Sequence, residues 1–275
     1  MVDPTRNRFY DITIQCSLDG FCFLVYDTEQ NLIVDLQTYQ TAEADDEGSL
    51  LKTVEKQLYD KGLYGQTFHA VRYIVSNRFN TLIPEALFDE EHIDYLLQFN
   101  HLLPHDYEAF HDPLPSIHSV NMFAVAAKLA QRLRNNWPDL LITHESSVFL
   151  NSVLSLPTDE CDTNVYLNVK SRDFDMAIVK ENQLLFYNNF KFKTKEDFVY
   201  FLMYTLEQQQ LAGKDLPVYF TGLITNNSGI INLCERYIRR IRFIRPDGNI
   251  RVDTAFCDIP FQYYYIPYKS LPCES

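Results

Sequence analysis

The sequence predicts an α/β chain built from two copies of one unit, and three observations carry that prediction. A strand–turn–strand–turn–strand pattern runs from Asp11 to Asp35 and recurs from Asn164 to Asn189. Displaced by 153 positions, Ile12, Ile14, Cys16, Phe21, Phe23 and Val25 fall on Val165, Leu167, Val169, Phe174, Met176 and Ile178. After each meander the hydrophobic period changes, and helical and strand patterns then alternate, as an α/β unit requires.

In the first half, Tyr10 to Cys16 alternates as a strand, Leu18-Asp19-Gly20 turns, and Phe21 to Tyr26 returns. Leu32 to Leu36 makes a third strand. After the acidic stretch Glu43–Glu47, a helix is expected from about Ser49 to Lys61, with Leu51, Val54 and Leu58 inward and Gly62 just past its end. Phe68 to Ser76 is apolar enough for the middle of a sheet. Pro84 to Leu114 interrupts the order and predicts an insertion: a short helix capped by Asp89, with Ile93, Leu96 and Leu97 inward, then a loop rich in Pro and His. A strand at Ile117–Val120 and a helix at Asn121–Asn136, stopped by Pro138, restore the pattern. Asp139–Thr143 is a strand and Glu145–Leu154 a helix. Leu156–Asp162 is the expected linker, giving domains 1–156 and 157–275.

The second half repeats this order. Thr194 with Asp197 predicts a capping box opening a helix whose buried stripe is Phe198, Phe201, Leu202 and Leu206. Leu216–Thr221 is a strand, Ser228–Ile238 a helix and Arg240–Ile244 a closing strand. The tail Phe256–Tyr268, crowded with Tyr and Phe and broken by Pro260 and Pro267, is expected to be extended rather than helical.

The chain has 275 residues, 46% of them apolar, which suffices for a sizeable core in one or two domains. Its formal charge of −13 disfavours phosphate backbones and anionic lipid. No apolar run approaches the ~20 residues of a membrane span, no signal peptide is expected, and six cysteines without a C-x-x-C pair suggest a reducing, cytoplasmic compartment.

A duplicated meander–helix–strand–helix–strand unit is ribonuclease-H-like. The whole chain resembles a bacterial family of unknown function assigned to the actin-like ATPase superfamily, which duplicates that unit. The segment 121–154 is similar to the matching part of pilus-assembly and cell-division members. The resemblance implies mixed sheets with flanking helices, and a nucleotide site at the two hairpin turns and the end of a later strand. Active members read D-x-G-[TS] at the first turn, D-x-G-x-x-T at the second, and a Gly-Gly pair against the adenosine. Small residues there let amides approach phosphate, and carboxylates hold Mg²⁺.

Those signals are depleted here. Ser17, Asp19 and Gly20 survive around Leu18 in the first turn, Lys170, Ser171 and Arg172 fill the second, and Thr221 and Gly222 mark the third. One reading makes Lys170 and Arg172 counter-charges for an anion, with Ser17 and Ser171 donating hydrogen bonds; the other makes these ordinary turns. Either way no cofactor is expected, ATP being the one the resemblance implies, and no catalytic or metal-ligating residue is assigned. His101, His105, His111 and His118 crowd one region, but Pro104 interrupts the first pair. His144-Glu145-Ser146-Ser147 has hydrolase-triad composition without the G-x-S-x-G elbow. Arg236, Arg239 and Arg240 are expected on one helical face, as candidates for a protein partner or an RNA. The favoured expectation is a non-catalytic, protein-binding scaffold; the alternatives are a nucleotide-binding ATPase-like protein and an RNA-associated factor.

Overall fold

In a computed structural model describing residues 8–17, 20–40, 47–103, 105–157, 162–245 and 250–272, the first alternating run forms β1 (Tyr10–Ser17). It pairs antiparallel with β2 (Gly20–Asp27), placing Ile12 opposite Val25 and Ile14 opposite Phe23. β3 (Leu32–Gln40) extends the meander beyond β2. Helix α1 (Glu47–Asp60) then crosses over and delivers β4 (Ala70–Val75) parallel to the free side of β1. β8 (Leu141–His144) pairs parallel with β4, and α4 (Glu145–Leu154) follows it. Strand order is therefore third, second, first, fourth, fifth. One more strand, β14 (Arg251–Val252), lies parallel beside β3. Leu51, Val54 and Leu58 of α1 are fully buried with Ile12, Phe23 and Tyr73, as the helical period requires.

The second sheet repeats the order. β9 (Thr163–Val169), β10 (Asp173–Lys180) and β11 (Gln183–Lys191) form the meander. α5 (Lys195–Gln208) leads to β12 (Pro217–Gly222), and α6 (Gly229–Cys234) to β13 (Arg240–Phe243). The sheet runs β11-β10-β9-β12-β13. The capping box of α5 is present, Thr194 accepting from the Asp197 amide and Asp197 accepting from the Thr194 amide. Phe174, Phe198 and Phe220 pack in one core with Leu202 and Ile178. Each such side chain contributes roughly 1.5–3 kcal/mol on burial.

Between β4 and α3 (Ala127–Asn136) lies a three-stranded sheet, β5-β7-β6, made of β5 (Asn80–Pro84), β6 (Tyr107–Leu114) and β7 (Ser119–Ala126), covered by α2 (Ile93–Asn100). This corrects the expectation of a helix from Asn121: residues 121–126 are strand. Val120, Met122 and Ala124 face Leu97 of α2, while Phe123 and Val125 face the first core. Burial on both faces removes the alternation by which a strand is recognised. Pro113 is tolerated because β6 is an edge strand.

Two other expectations change. The tail is not extended. It forms single 3-10 turns at Thr254–Phe256 and Phe261–Tyr264, then α7 (Tyr265–Lys269). Pro267 sits in the first turn of α7, where an amide has no helical partner to lose. The arginines do not share a helix, since α6 ends at Cys234; Arg236 lies in the following turn and Arg240 opens β13.

The chain folds as two compact units, one of Met1–Val148, Asp247–Asp258 and Ile266–Ser275, the other of Phe149–Pro246 and Ile259–Tyr265. The division thus falls within α4, ahead of the expected linker, most of which lies outside the described residues. Among the described residues no helix is long and apolar enough to cross a membrane.

Candidate functional site

The β9–β10 hairpin holds the second unit's candidate residues. β9 turns Val165, Leu167 and Val169 into the core, so Asn168 and Lys170 share the opposite face; β10 likewise buries Phe174 and Met176 and turns Asp173 and Asp175 the other way. The Lys170 ammonium lies 2.7 Å from Asp173 and 3.1 Å from Asp175. Asp175 is 2% exposed. Besides Lys170, it accepts from Asn168 (3.2 Å), from Tyr187 on β11 (3.1 Å) and from Asn189 (3.0 Å). Asn189 also donates to Asp173 at 2.7 Å. Burial pushes the Asp175 carboxyl up, but the Lys170 charge and the hydrogen bonds from Asn189, Lys170 and Asn168 overcome it and hold the group below the usual carboxylate range. Four donors fill the acceptor capacity of one carboxylate. Lys170 is therefore matched by two carboxylates of its own hairpin. Ser171 and Arg172 are exposed at the tip.

Thr221 and Gly222 end β12 and have local tasks. Gly222 has φ +87°, and a Cβ there would stand 2.1 Å from the Val169 carbonyl oxygen. The close approach lets the Leu223 amide donate to Val169 at 2.7 Å. Thr221 is fully buried and donates to the Gln262 carbonyl at 3.2 Å, while the Gln262 side chain donates to the Ile224 carbonyl at 3.0 Å. The Phe261–Tyr264 turn is thus fastened over the end of β12 by hydrogen bonds on both sides of Gly222.

In the first unit, Ser17 donates to the Gly20 carbonyl across the β1–β2 turn at 3.3 Å; Asp19 and Leu18 lie outside the described residues. Near the ends of β1 and β4 the buried Glu145 carboxylate accepts from Gln15 at 3.1 Å and from Ser76. His144 Nδ1 stands 2.7 Å from Ser146 Oγ, with Nε2 3.1 Å from the Asn77 carbonyl oxygen. A carbonyl can only accept, so Nε2 carries the proton and Nδ1 accepts from Ser146. Ser146 Oγ also accepts from Asn80 (3.0 Å) and Asn121 (2.9 Å), and Ser146 is 1% exposed. Asp112 bonds the His144 amide rather than its ring, at 2.8 Å. The geometry is a buried brace for the start of α4, with Ser146 serving as a residue of the helix N-terminus and not as a nucleophile.

Arg236 and Arg239 are exposed and Arg240 half-buried. His101 is used locally, with Nε2 3.0 Å from the Asn80 carbonyl oxygen and 3.1 Å from Thr81. Among the described residues no group of three or more His, Cys, Asp and Glu could hold a metal ion. Asn168, Asp173, Asp175, Tyr187, Asn189 and Gln262 were not singled out from sequence. Polar residues at the outward parity of otherwise apolar strands are a signal for the first five. Gln262 has none, because its contacts span about 40 residues.

A family model described as a protein of unknown function (DUF3822) matches residues 2–241. A Bacteroides thetaiotaomicron protein of actin-like ATPase fold and unknown function is similar in structure, with a TM-score of 0.76 and 21% identity over 89% of this chain and 94% of the other. A chain of the PilM-PilN type IV pilus biogenesis complex is similar at TM-score 0.63 and 9% identity, over 95% of this chain and 97% of its own. A search of curated proteins finds no relative by sequence. The duplicated strand order and these likenesses agree on an actin-like ATPase fold, and the chain belongs to the DUF3822 family of proteins of unknown function.

Proposed function

We propose that this is a non-catalytic actin-like protein that works by engaging another protein, and that its nucleotide site is vestigial. The observation that carries this reading is the closed network at the second hairpin. Where active relatives present a metal-binding carboxylate and a glycine, this chain has Lys170 already matched by Asp173 and Asp175. Phosphoryl transfer depends on free donors and metal at the γ-phosphate, and the acceptors here are occupied. Gly222 and Thr221 are engaged by β9 and by Gln262, which supports the same reading. That a structurally similar chain comes from a complex with a second protein favours a protein partner.

Thermal unfolding with and without millimolar MgATP tests this. Ligand at a hundred times its dissociation constant stabilises by ~2.7 kcal/mol, a rise on the order of 5 °C or more for a chain of this size. No rise is expected with ATP, ADP or GTP, with or without Mg²⁺. A rise of that size would restore the nucleotide-binding reading. RNA binding that weakens with salt and is lost on Arg239→Ala with Arg240→Ala would favour the accessory-factor reading.

A further inference from the structure

The module built from β5, α2, β6 and β7 is acidic throughout. Residues 79–126 carry eight carboxylates and no Lys or Arg, in a chain whose entire net charge is −13. Two of the eight are engaged elsewhere in the unit: Asp112 with Thr143 and the His144 amide, and Glu108 with Arg134. Glu85, Asp89, Glu90, Glu91, Asp94 and Asp106 are exposed.

Within this acidic field α2 carries apolar side chains on two faces. Ile93, Leu96 and Leu97 pack on Val120, Met122 and Ala124 of β7. The outward side presents Tyr95 at 70% exposure and Phe99 at 81%, one helical turn apart, with Leu102 at 96% just beyond the helix. Single exposed apolar residues are ordinary on a protein surface; two large rings at i and i+4 on one short helix, with a third large apolar side chain two residues past its end and exposed carboxylates in and before its first turn, are the pattern of a docking face.

The geometry points to a basic amphipathic helix of a partner protein as the occupant. Its apolar side chains would cover Tyr95, Phe99 and Leu102, while Lys or Arg on its flanks would meet Glu90, Glu91 and Asp94. The charge argues against other occupants. A second copy docked by two-fold symmetry would bring this acidic surface against itself, and an anionic bilayer would be repelled. This names the partner chemistry for the interaction role proposed above and rests on that role.

The test is fluorescence anisotropy on the full chain with a labelled, idealised Leu/Lys amphipathic peptide and a scrambled peptide of the same composition. The amphipathic peptide should bind roughly ten-fold more tightly than the scrambled one, and Tyr95→Ala with Phe99→Ala should remove about that factor. Both positions are exposed, so the melting temperature should not move. Glu91→Gln with Asp94→Asn should weaken binding and flatten its salt dependence. Equal binding of the scrambled peptide, or an unchanged affinity in the double alanine variant, would overturn the proposal. So would a concentration-dependent dimer, or adsorption to phosphatidylglycerol vesicles, that disappears on Phe99→Ala. A melting-point rise with MgATP beside intact peptide binding would remove the vestigial-site reading and leave this surface standing.

Discussion

Replacing Lys170 with methionine should destabilise the second unit by roughly 3–5 kcal/mol, the range for a buried charge left without its partner. The methionine keeps the stem's bulk while Asp175 loses its counter-charge. Asn168, Tyr187 and Asn189 still donate to Asp175 but cannot neutralise it. The acid dependence should change sign as well. In the native protein the Asp175 carboxyl sits below its usual range. Its contribution is therefore fully present above the unfolded value of about 3.9 and is lost as pH falls through the lower folded value. Without Lys170 burial dominates and the folded value rises, so the variant should lose stability as pH rises through that window. Urea unfolding from pH 3 to 7 reads both effects; parallel pH profiles for the two proteins would refute the account. Pairing Lys170→Met with Asp175→Asn should recover part of the loss, since the pair is coupled.

Gly222→Ala should be at least as damaging, at roughly 4 kcal/mol or more. The two tightest contacts of the added methyl group are with backbone, which cannot swing aside: the Val169 oxygen at 2.1 Å and the Val169 nitrogen at 2.7 Å, with the Asn168 side-chain oxygen next at 2.9 Å. Relief would separate β12 from β9 and break the Leu223–Val169 hydrogen bond. Gly213→Ala is the matched control. That glycine has φ +75° with nothing within 4 Å, so only left-handed strain remains, about 1–2 kcal/mol. Equal losses in chemical denaturation would mean that the close approach at Gly222 is unimportant.

How much of this could be read from sequence follows from where the determining contacts lie. The opening strands β1 and β9 were legible because one face of each is core and the other carries polar groups such as Asp11 and Thr13 or Asn164 and Asn168, so Ile12-x-Ile14 and Val165-x-Leu167 alternate cleanly. β7 was not, since it separates two cores and reads as the run Met122–Ala126. At the site, Lys170, Asp173 and Asp175 are close in sequence. Their convergence depends on the β9–β10 register, which sets Asn168 opposite Asp175. The arginines at i, i+3 and i+4 looked helical because spacing alone does not show that the helix has ended at Cys234. Gln262 depends on how the tail returns, which no local pattern encodes.

The two-residue strand β14 has a consequence for biosynthesis. It belongs to the first unit, yet it is made more than 200 residues after the β3 strand it borders. Throughout that interval the outer backbone groups of Leu32 and Ile33 stand uncovered, and the α7 residues Ile266 and Tyr268, buried in the finished protein, do not yet exist. The emerging N-terminal unit is therefore an open-edged intermediate until Arg251 and Val252 have been made. A chain ending at residue 246 should carry that edge permanently, and with it a tendency to pair strand to strand with its neighbours.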